Sequence, residues 1–292
     1  MTSGGQDHDR RQPRIAAIVM SFGPRQTLVD AVRSLQSQDV PTEIVVVHSG
    51  ESDVETLLQA ANVDVRVVQS NKRLLPGATR NAGIAATSAP IVSFLADDCV
   101  AAPGALRERL KAHDSGARAV SSALLCHQPS NPCALAAHLS LYGRRMPRAA
   151  PEVALRYGAS YARALLDEVG PFREDMESGE DTEFHQRLNE ADQPIWRPEV
   201  QTTHLGVATF GKLLTSQFER GRRMAGAWAA IGAYDKLAVA RNAIARTSLI
   251  VRESSTVVDP AHRMSARFAI PLIAFGNIAY ACGAWSWKES AQ

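Results

Sequence analysis

The run Ile91-Val92-Ser93-Phe94-Leu95-Ala96, entered through Ala89-Pro90 and left through Asp97-Asp98, constrains this chain more than any other stretch. Apolar residues at nearly every position leave no face for water. The segment therefore reads as a strand buried on both faces, as parallel strands are in α/β proteins. Its carboxyl end is the edge where open α/β sheets bind ligands, and two adjacent carboxylates stand there. Carboxylates taken out of water need compensation. A hard cation with oxygen ligands supplies it, and a diphosphate can share that cation. Taken alone, the pair also fits a solvated acidic turn.

The preceding residues supply the rest of such a sheet. Ile15 to Met20 is an apolar run that breaks at Ser21-Phe22-Gly23-Pro24, and Leu28, Ala31, Val32 and Leu35 then recur on one helical face. Glu43 to Val47 reads as a second strand, Asp53 to Ala61 as a second helix and Val65 to Val68 as a third strand. Strand and helix alternating at these spacings predict right-handed parallel βαβ units, with the loops after the first two strands on one edge. No glycine fingerprint follows the first strand, which argues against a nicotinamide enzyme. Asn71 to Gly83 is a Pro-Gly loop that starts a helix. Lys72, Arg73 and Arg80 place three cations near its N-terminus, where phosphates bind well, although an ordinary basic loop has the same composition.

Beyond the central strand, Pro103-Gly104 opens a helix carrying Leu106 and Leu110, and Ala119 to Cys126 is another strand. Asn131 to Arg156 scatters Pro and Arg without a period and is expected to be a mobile surface segment. A turn from Tyr157 to Arg163 precedes a helix through Leu165, Leu166 and Val169. A further helix starts at Gly179 with Glu180, Asp181 and Glu183 in its first turn, where the helix dipole favours acids. Trp196 to Val200 is a short strand, followed by His204.

At 292 residues, 45% hydrophobic and 21% charged, the chain has the balance of a folded protein and the length for an α/β domain plus an appendage. The net charge of +2 is uneven: residues 1–204 carry 21 basic and 25 acidic side chains, residues 205–292 carry 11 and 5. Such a basic tail suits an anionic membrane surface or a solvated helical face. No basic patch interleaves with aromatics, so nucleic acid is not an expected partner. Four cysteines without repeated spacing argue for reduced thiols in the cytoplasm. Met1 to Arg14 lacks the apolar centre of a signal peptide, and residues 1–13 are expected to form a disordered arm.

Four blocks in order carry a resemblance: the opening strand with Ser21-Phe22; Arg80-Asn81-Ala82-Gly83; Phe94-Leu95-Ala96-Asp97-Asp98; and Gly158 through Gly170-Pro171-Phe172 to Gly179-Glu180-Asp181. From about Arg14 to His204 the chain resembles an inverting glycosyltransferase of family 2. The resemblance implies an α/β fold of GT-A type, a mainly parallel sheet flanked by helices with a C-terminal helical extension. It also implies a divalent metal cofactor (Mn or Mg) on Asp98, with His204 near the metal and the diphosphate. Asp97 matches the middle position of the metal motif and lies on the donor side, together with Ser21, Arg73 and Arg80. Asp181 matches the catalytic base, with Glu180 as the neighbouring alternative. Gly158 and Ser160 fall where the acceptor approaches. Two positions depart from the family. Ala96 stands where the motif's first carboxylate is usual, and His48 stands where an Asp usually contacts the base of the donor; both bear on the nucleotide rather than on the chemistry.

The implied function is sugar transfer from a nucleotide-diphospho-sugar donor to a hydroxyl on a glycan or lipid-linked acceptor, in glycan, polysaccharide or glycolipid assembly. The alternative, motivated by Ala96 and His48, is a catalytically weak nucleotide-sugar-binding partner subunit. Residues 14–210 are expected to form the transferase domain and 211–292 a basic and apolar helical tail. Phe268 to Trp287 is 20 residues without a charge, between Arg267 and Lys288. At about 1.5 Å per residue it has the length of a membrane span. Pro271, Gly276, Asn277, Gly283 and Ser286 dilute its apolarity and favour a buried or interfacial helix. The expected location is cytoplasmic, peripheral at the inner membrane face, with a single C-terminal span as the alternative.

Overall fold

The computed structural model describes residues 12–23, 25–230 and 234–288. Residues 1–11 of the expected N-terminal arm, and Pro24 of the first turn, lie outside the described residues. The first half alternates strand and helix: β1 (Ile15–Phe22), α1 (Thr27–Gln36), β2 (Thr42–Ser49), α2 (Val54–Ala60), β3 (Arg66–Ser70), α3 (Pro76–Ala85) and β4 (Ile91–Ala96). The chain continues through β5 (Cys99–Ala101), α4 (Ala105–Asp114), β6 (Ala119–Cys126), α5 (Pro132–Tyr142), β7 (Ser160–Ala162), α6 (Arg163–Val169), α7 (Glu180–Arg187) and β8 (Ile195–His204). Three long helices close it: α8 (Phe210–Ala230), α9 (Lys236–Val257) and α10 (Arg263–Ser286).

One eight-stranded sheet runs in the order β3-β2-β1-β4-β7-β6-β8-β5. β1 pairs in parallel with β2 and β4, β2 with β3, and β6 with β8. The short β7 and β5 run antiparallel to their neighbours, so the sheet is mixed. Both faces are covered, which explains why its central strands are apolar without alternation. Ile15, Ala17 and Val19 face the core under α1, α2 and α4, while Ile18 faces the one under α3, α6 and α7. A Cβ at Gly83 would collide with Ile18, so glycine lets α3 lie against β1 at that point.

The stretch 131–156 departs from expectation. Much of it is the helix α5, buried from Ala134 to Ser140. Asn131 caps it, its Oδ1 accepting from the backbone of Cys133 at 2.9 Å and Ala134 at 3.3 Å, and Pro132 occupies the first turn. The helix shows no amphipathic period because it is covered all round, by β6 on one side and by α8, α9 and α10 on the other. His204 also differs from expectation: it ends β8 rather than following it, because a register shift between Ser122 and Ala123 lets the strand continue past Val200.

α8 and α10 cross closely through small residues. Gly221 lies against the Tyr280 carbonyl and Gly283 against the Phe218 carbonyl, each too near for a Cβ. One face of α10, including Ala269, Ile273, Gly276 and Tyr280, is buried. Met264, Phe268, Pro271, Phe275, Ile278, Cys282 and Trp285 form an exposed stripe at alternating spacings of four and three. Pro260–Ser286 is the one segment among the described residues long and apolar enough to cross a membrane, and 39% of its most apolar window is buried within the protein.

Candidate active site

Parallel pairing of Met20 with Ala96 carries Asp97 to the end of β1, where its N–H donates to the Met20 carbonyl at 3.1 Å. The Asp97 side chain is buried and accepts from the Phe22 N–H at 3.1 Å. Arg25 spans both carboxylates, its Nη1 3.3 Å from Asp97 Oδ1 and 3.2 Å from Asp98 Oδ2. Burial raises the Asp97 carboxyl above its ordinary value despite Arg25 and the Phe22 N–H. Burial pushes the same way at Asp98, but nearby His204 and Arg25 outweigh it and leave the group lowered.

His204 reaches Asp98 through the sheet. β5 pairs antiparallel with β8, setting Cys99 opposite His204, and the Leu205 N–H donates to the Asp98 carbonyl at 2.8 Å. His204 Nε2 thus lies 3.8 Å from Asp98 Oδ2. Gly206 allows the following loop to wrap the ring, since a Cβ there would sit 2.9 Å from it. Tyr142 meets the ring edge to face, with centroids 5.0 Å apart. Asp98, His204, Arg25 and Arg223 line a cleft of about 750 Å³. A carboxylate and an imidazole at this separation fit two ligands of one cation, since ligands at about 2.1 Å span roughly 3–4 Å. No group of three or more His, Cys, Asp or Glu side chains suited to a metal lies among the described residues, so the remaining positions of such a cation would fall to waters and substrate oxygens, as is usual for Mg²⁺ and Mn²⁺. Arg25 supplies the positive charge between the carboxylates in this structure.

Other sequence-derived candidates pair among themselves. Arg80 is not on an open loop: its Nε donates to Glu180 Oε1 at 3.0 Å, and both groups are buried. Its guanidinium also covers the Phe94 and Phe172 rings, at 4.6 and 5.4 Å. Asp181, one residue on in α7, is partly exposed, and its Oδ1 accepts from the Thr182 N–H at 2.8 Å. Ser21 Oγ lies 3.0 Å from His48 Nδ1 in a buried pair, and His48 is fully covered, so neither offers a surface to a ligand. Arg73 is exposed and lies over the Phe22 ring at 5.3 Å. Ser160 also departs from the acceptor-side expectation: it is fully buried, 3.1 Å from Arg109 Nη1 and 2.9 Å from His113 Nε2. Gly158 keeps a left-handed φ of 61°, and a Cβ there would meet Arg145 Nη2 at 3.0 Å.

Arg145 went unread in the sequence. Its Nη2 donates to the Ser122 carbonyl at 3.2 Å, while its buried Nε has no partner among the described residues. Burial lowers the guanidinium's pKa; Tyr142 and Cys99, near Asp98, and Asp181 and Tyr157 oppose that shift. Arg25 and Tyr142 were missed as well. The Asn131-Pro132 cap signal, followed by an apolar run, was the cue that would have fixed α5 and, just past its end, Arg145.

The family model for Glycosyl transferase family 2 matches residues 16–162, half of the chain. The succinoglycan biosynthesis protein ExoO of Rhizobium meliloti (strain 1021) is 31% identical over 106 residues, 35% of this chain and 30% of that protein. The match thus spans under a third of that relative's length. Among solved structures, the mannosyltransferase PcManGT from Pyrobaculum calidifontis, in complex with GDP-Man and Mn2+, is 18% identical. It aligns over 96% of this chain and 89% of its own, with a TM-score of 0.58. S. aureus TarS 1-349 in complex with UDP is 14% identical and aligns over 91% of each chain, with a TM-score of 0.52. At these identities the likeness is one of fold: the mixed sheet with its helical C-terminal region is of GT-A type.

Proposed function

The chain belongs to glycosyl transferase family 2, and on that premise we propose that it moves a sugar from a nucleotide-diphospho-sugar to an acceptor hydroxyl, inverting the anomeric centre. The observation that carries the reading is the convergence of Asp98 and His204, 3.8 Å apart, in a cleft at the carboxyl edge of the sheet. Asp98 and His204 would hold a divalent cation, which when bound would take up the charge growing on the departing diphosphate. Arg25 and Arg223 in the same cleft add fixed positive charge toward that diphosphate.

Asp181 is the proposed general base. The acceptor hydroxyl is a poor nucleophile until its proton is removed, and a partly exposed carboxylate can accept it. Glu180 is less suited, because its carboxylate is buried against Arg80. Gly158, where a Cβ would crowd Arg145, is proposed to let the acceptor approach. On the donor side, Arg73 over Phe22 offers a cation and a ring face to the nucleotide. The bound Mn2+ and GDP-Man of PcManGT support donor and metal use of this class, and the ExoO match supports a role in polysaccharide assembly.

Residues 14–210 are proposed as the transferase unit and 211–292 as a lobe that rests on an anionic membrane, at the cytoplasmic face. The support is the exposed apolar stripe of α10, flanked by Arg263, Arg267 and Lys288. The buried opposite face favours lying in the interface over spanning it. The test of the activity is nucleoside diphosphate release with a panel of nucleotide sugars, with and without Mn²⁺. Metal-stimulated release with at least one donor supports transfer. Clear donor binding without release from any of them would favour the partner-subunit reading.

A further inference from the structure

Two guanidinium groups share a half-buried space in the helical lobe, neither of them in an ion pair among the described residues. Arg220 of α8 and Arg246 of α9 both stack on Tyr280 of α10, at 5.6 and 5.4 Å from its ring centroid. Both line a cavity of about 240 Å³ beside α5, apart from the cleft of Asp98. Glu253, the one acidic side chain in its wall, lies 3.8 Å from a third arginine there, Arg144. Arg246 donates to the Ser140 carbonyl, whereas Arg220 Nη1 is buried without a partner among the described residues. Burial, and then the neighbouring Arg220 charge, lower Arg246 to about 10, so the like charges are close enough to interact.

Like charges drawn out of water without an opposite charge are unfavourable, and an arriving anion reverses that balance. Guanidinium forks match the oxygens of phosphate in geometry as well as charge. The other walls are largely apolar, and Leu249, 37% exposed, marks the mouth. A cationic floor under apolar walls suits a phosphate attached to a carbon chain. We infer that this cavity binds a phosphate-class anion, either free or carried as a lipid headgroup. Tyr157 in its wall directly precedes Gly158, so the anion would lie beside the acceptor approach. Its belonging to the acceptor rests on the transferase reading; the anion site itself does not.

The test is calorimetric titration of the intact protein with inorganic pyrophosphate in EDTA, which removes metal-assisted binding in the Asp98 cleft. Arg246→Gln removes one fork, and Leu249→Trp closes the mouth while keeping every charge. Each is expected to weaken pyrophosphate binding about tenfold or more. Absence of binding to the wild type, or wild-type affinity in both variants, overturns the site. Circular dichroism checks folding; if Arg246→Gln is unfolded, Leu249→Trp decides. A second arm measures retention on phosphatidylcholine vesicles with and without phosphatidic acid. Phosphatidic-acid-dependent retention that falls in Leu249→Trp alongside pyrophosphate affinity supports the site with a lipid-borne phosphate. Loss of pyrophosphate affinity alone supports it with a free one.

Discussion

Arg80 Nε and Glu180 Oε1 lie 3.0 Å apart, joining residues one hundred positions distant in a buried ion pair. The pair ties α3 to the first turn of α7 and removes one of two adjacent carboxylates from solvent. Asp181 is left as the one of the two with a partly exposed side chain.

A buried pair broken from one side leaves an uncompensated charge, at a cost of about 3–5 kcal/mol. Glu180→Gln is therefore expected to lower unfolding stability by roughly that amount, measured by urea denaturation. Asp181→Asn is expected to change stability by less than about 1 kcal/mol, since its side chain is near the surface. Equal stability of both variants would remove the structural role given to Glu180.

Arg25 contacts both Asp97 and Asp98. Its charge opposes a cation at the same carboxylates, so Arg25→Gln is expected to tighten Mn²⁺ binding to the donor-free protein by up to about tenfold. Asp98→Ala should weaken it by more than that. Mn²⁺ titration followed by electron paramagnetic resonance reads both. Unchanged Mn²⁺ affinity in Asp98→Ala would take Asp98 out of the metal site.

The sheet was legible in the sequence because strands covered on both faces leave unbroken apolar runs, and Ile15, Glu43, Ile91 and Ala119 each open or adjoin one. The carboxylates at the end of β4 followed directly from that reading. What escaped was whatever depends on coverage from a distance. α5 carries no amphipathic stripe, because the C-terminal helices bury its outer side, and Arg145 escaped with it. The family resemblance placed Ser160 toward the acceptor, and with the basic loop it placed Arg80 toward the donor. Arg109 and His113 hold the first inside the fold and Glu180 the second, partners at long range that no local pattern announces.

His113 Nδ1–H donates to the Ala117 carbonyl at 2.8 Å, its Nε2 lies 2.9 Å from Ser160 Oγ, and burial lowers its pKa from 6.5 to about 4. The unfolded chain takes up this proton near pH 6.5 and the folded chain only near pH 4. Its stabilising contribution is thus present above pH 6.5 and is lost as the pH falls from 6.5 toward 4. Over that interval one such group gives a slope of about 1.4 kcal/mol per pH unit. Denaturation midpoints at pH 7 and pH 5 should differ less in His113→Gln than in the wild type. An unchanged difference would show that His113 titrates normally in the fold.

The apolar stripe of α10 exposes Phe268, Phe275 and Ile278 by more than half of their surface. Replacing Phe268 and Ile278 together by Asp is expected to abolish sedimentation with anionic vesicles while leaving the fold intact, and high salt should release part of the wild type. Wild-type sedimentation in the double variant would confine the membrane contact to the basic residues. Extraction from cell membranes by detergent alone would instead point to a span.

In the proposed reaction Asp181 takes the acceptor's proton while Asp98 and His204 hold the donor's diphosphate side. The most direct measurement is nucleoside diphosphate release by Asp181→Asn, set beside donor binding by the same variant. Binding close to wild type and turnover reduced by about 10²–10⁴-fold are expected. Wild-type turnover in Asp181→Asn, with activity lost in Glu180→Gln at full folding, would contradict that assignment and move the base to Glu180.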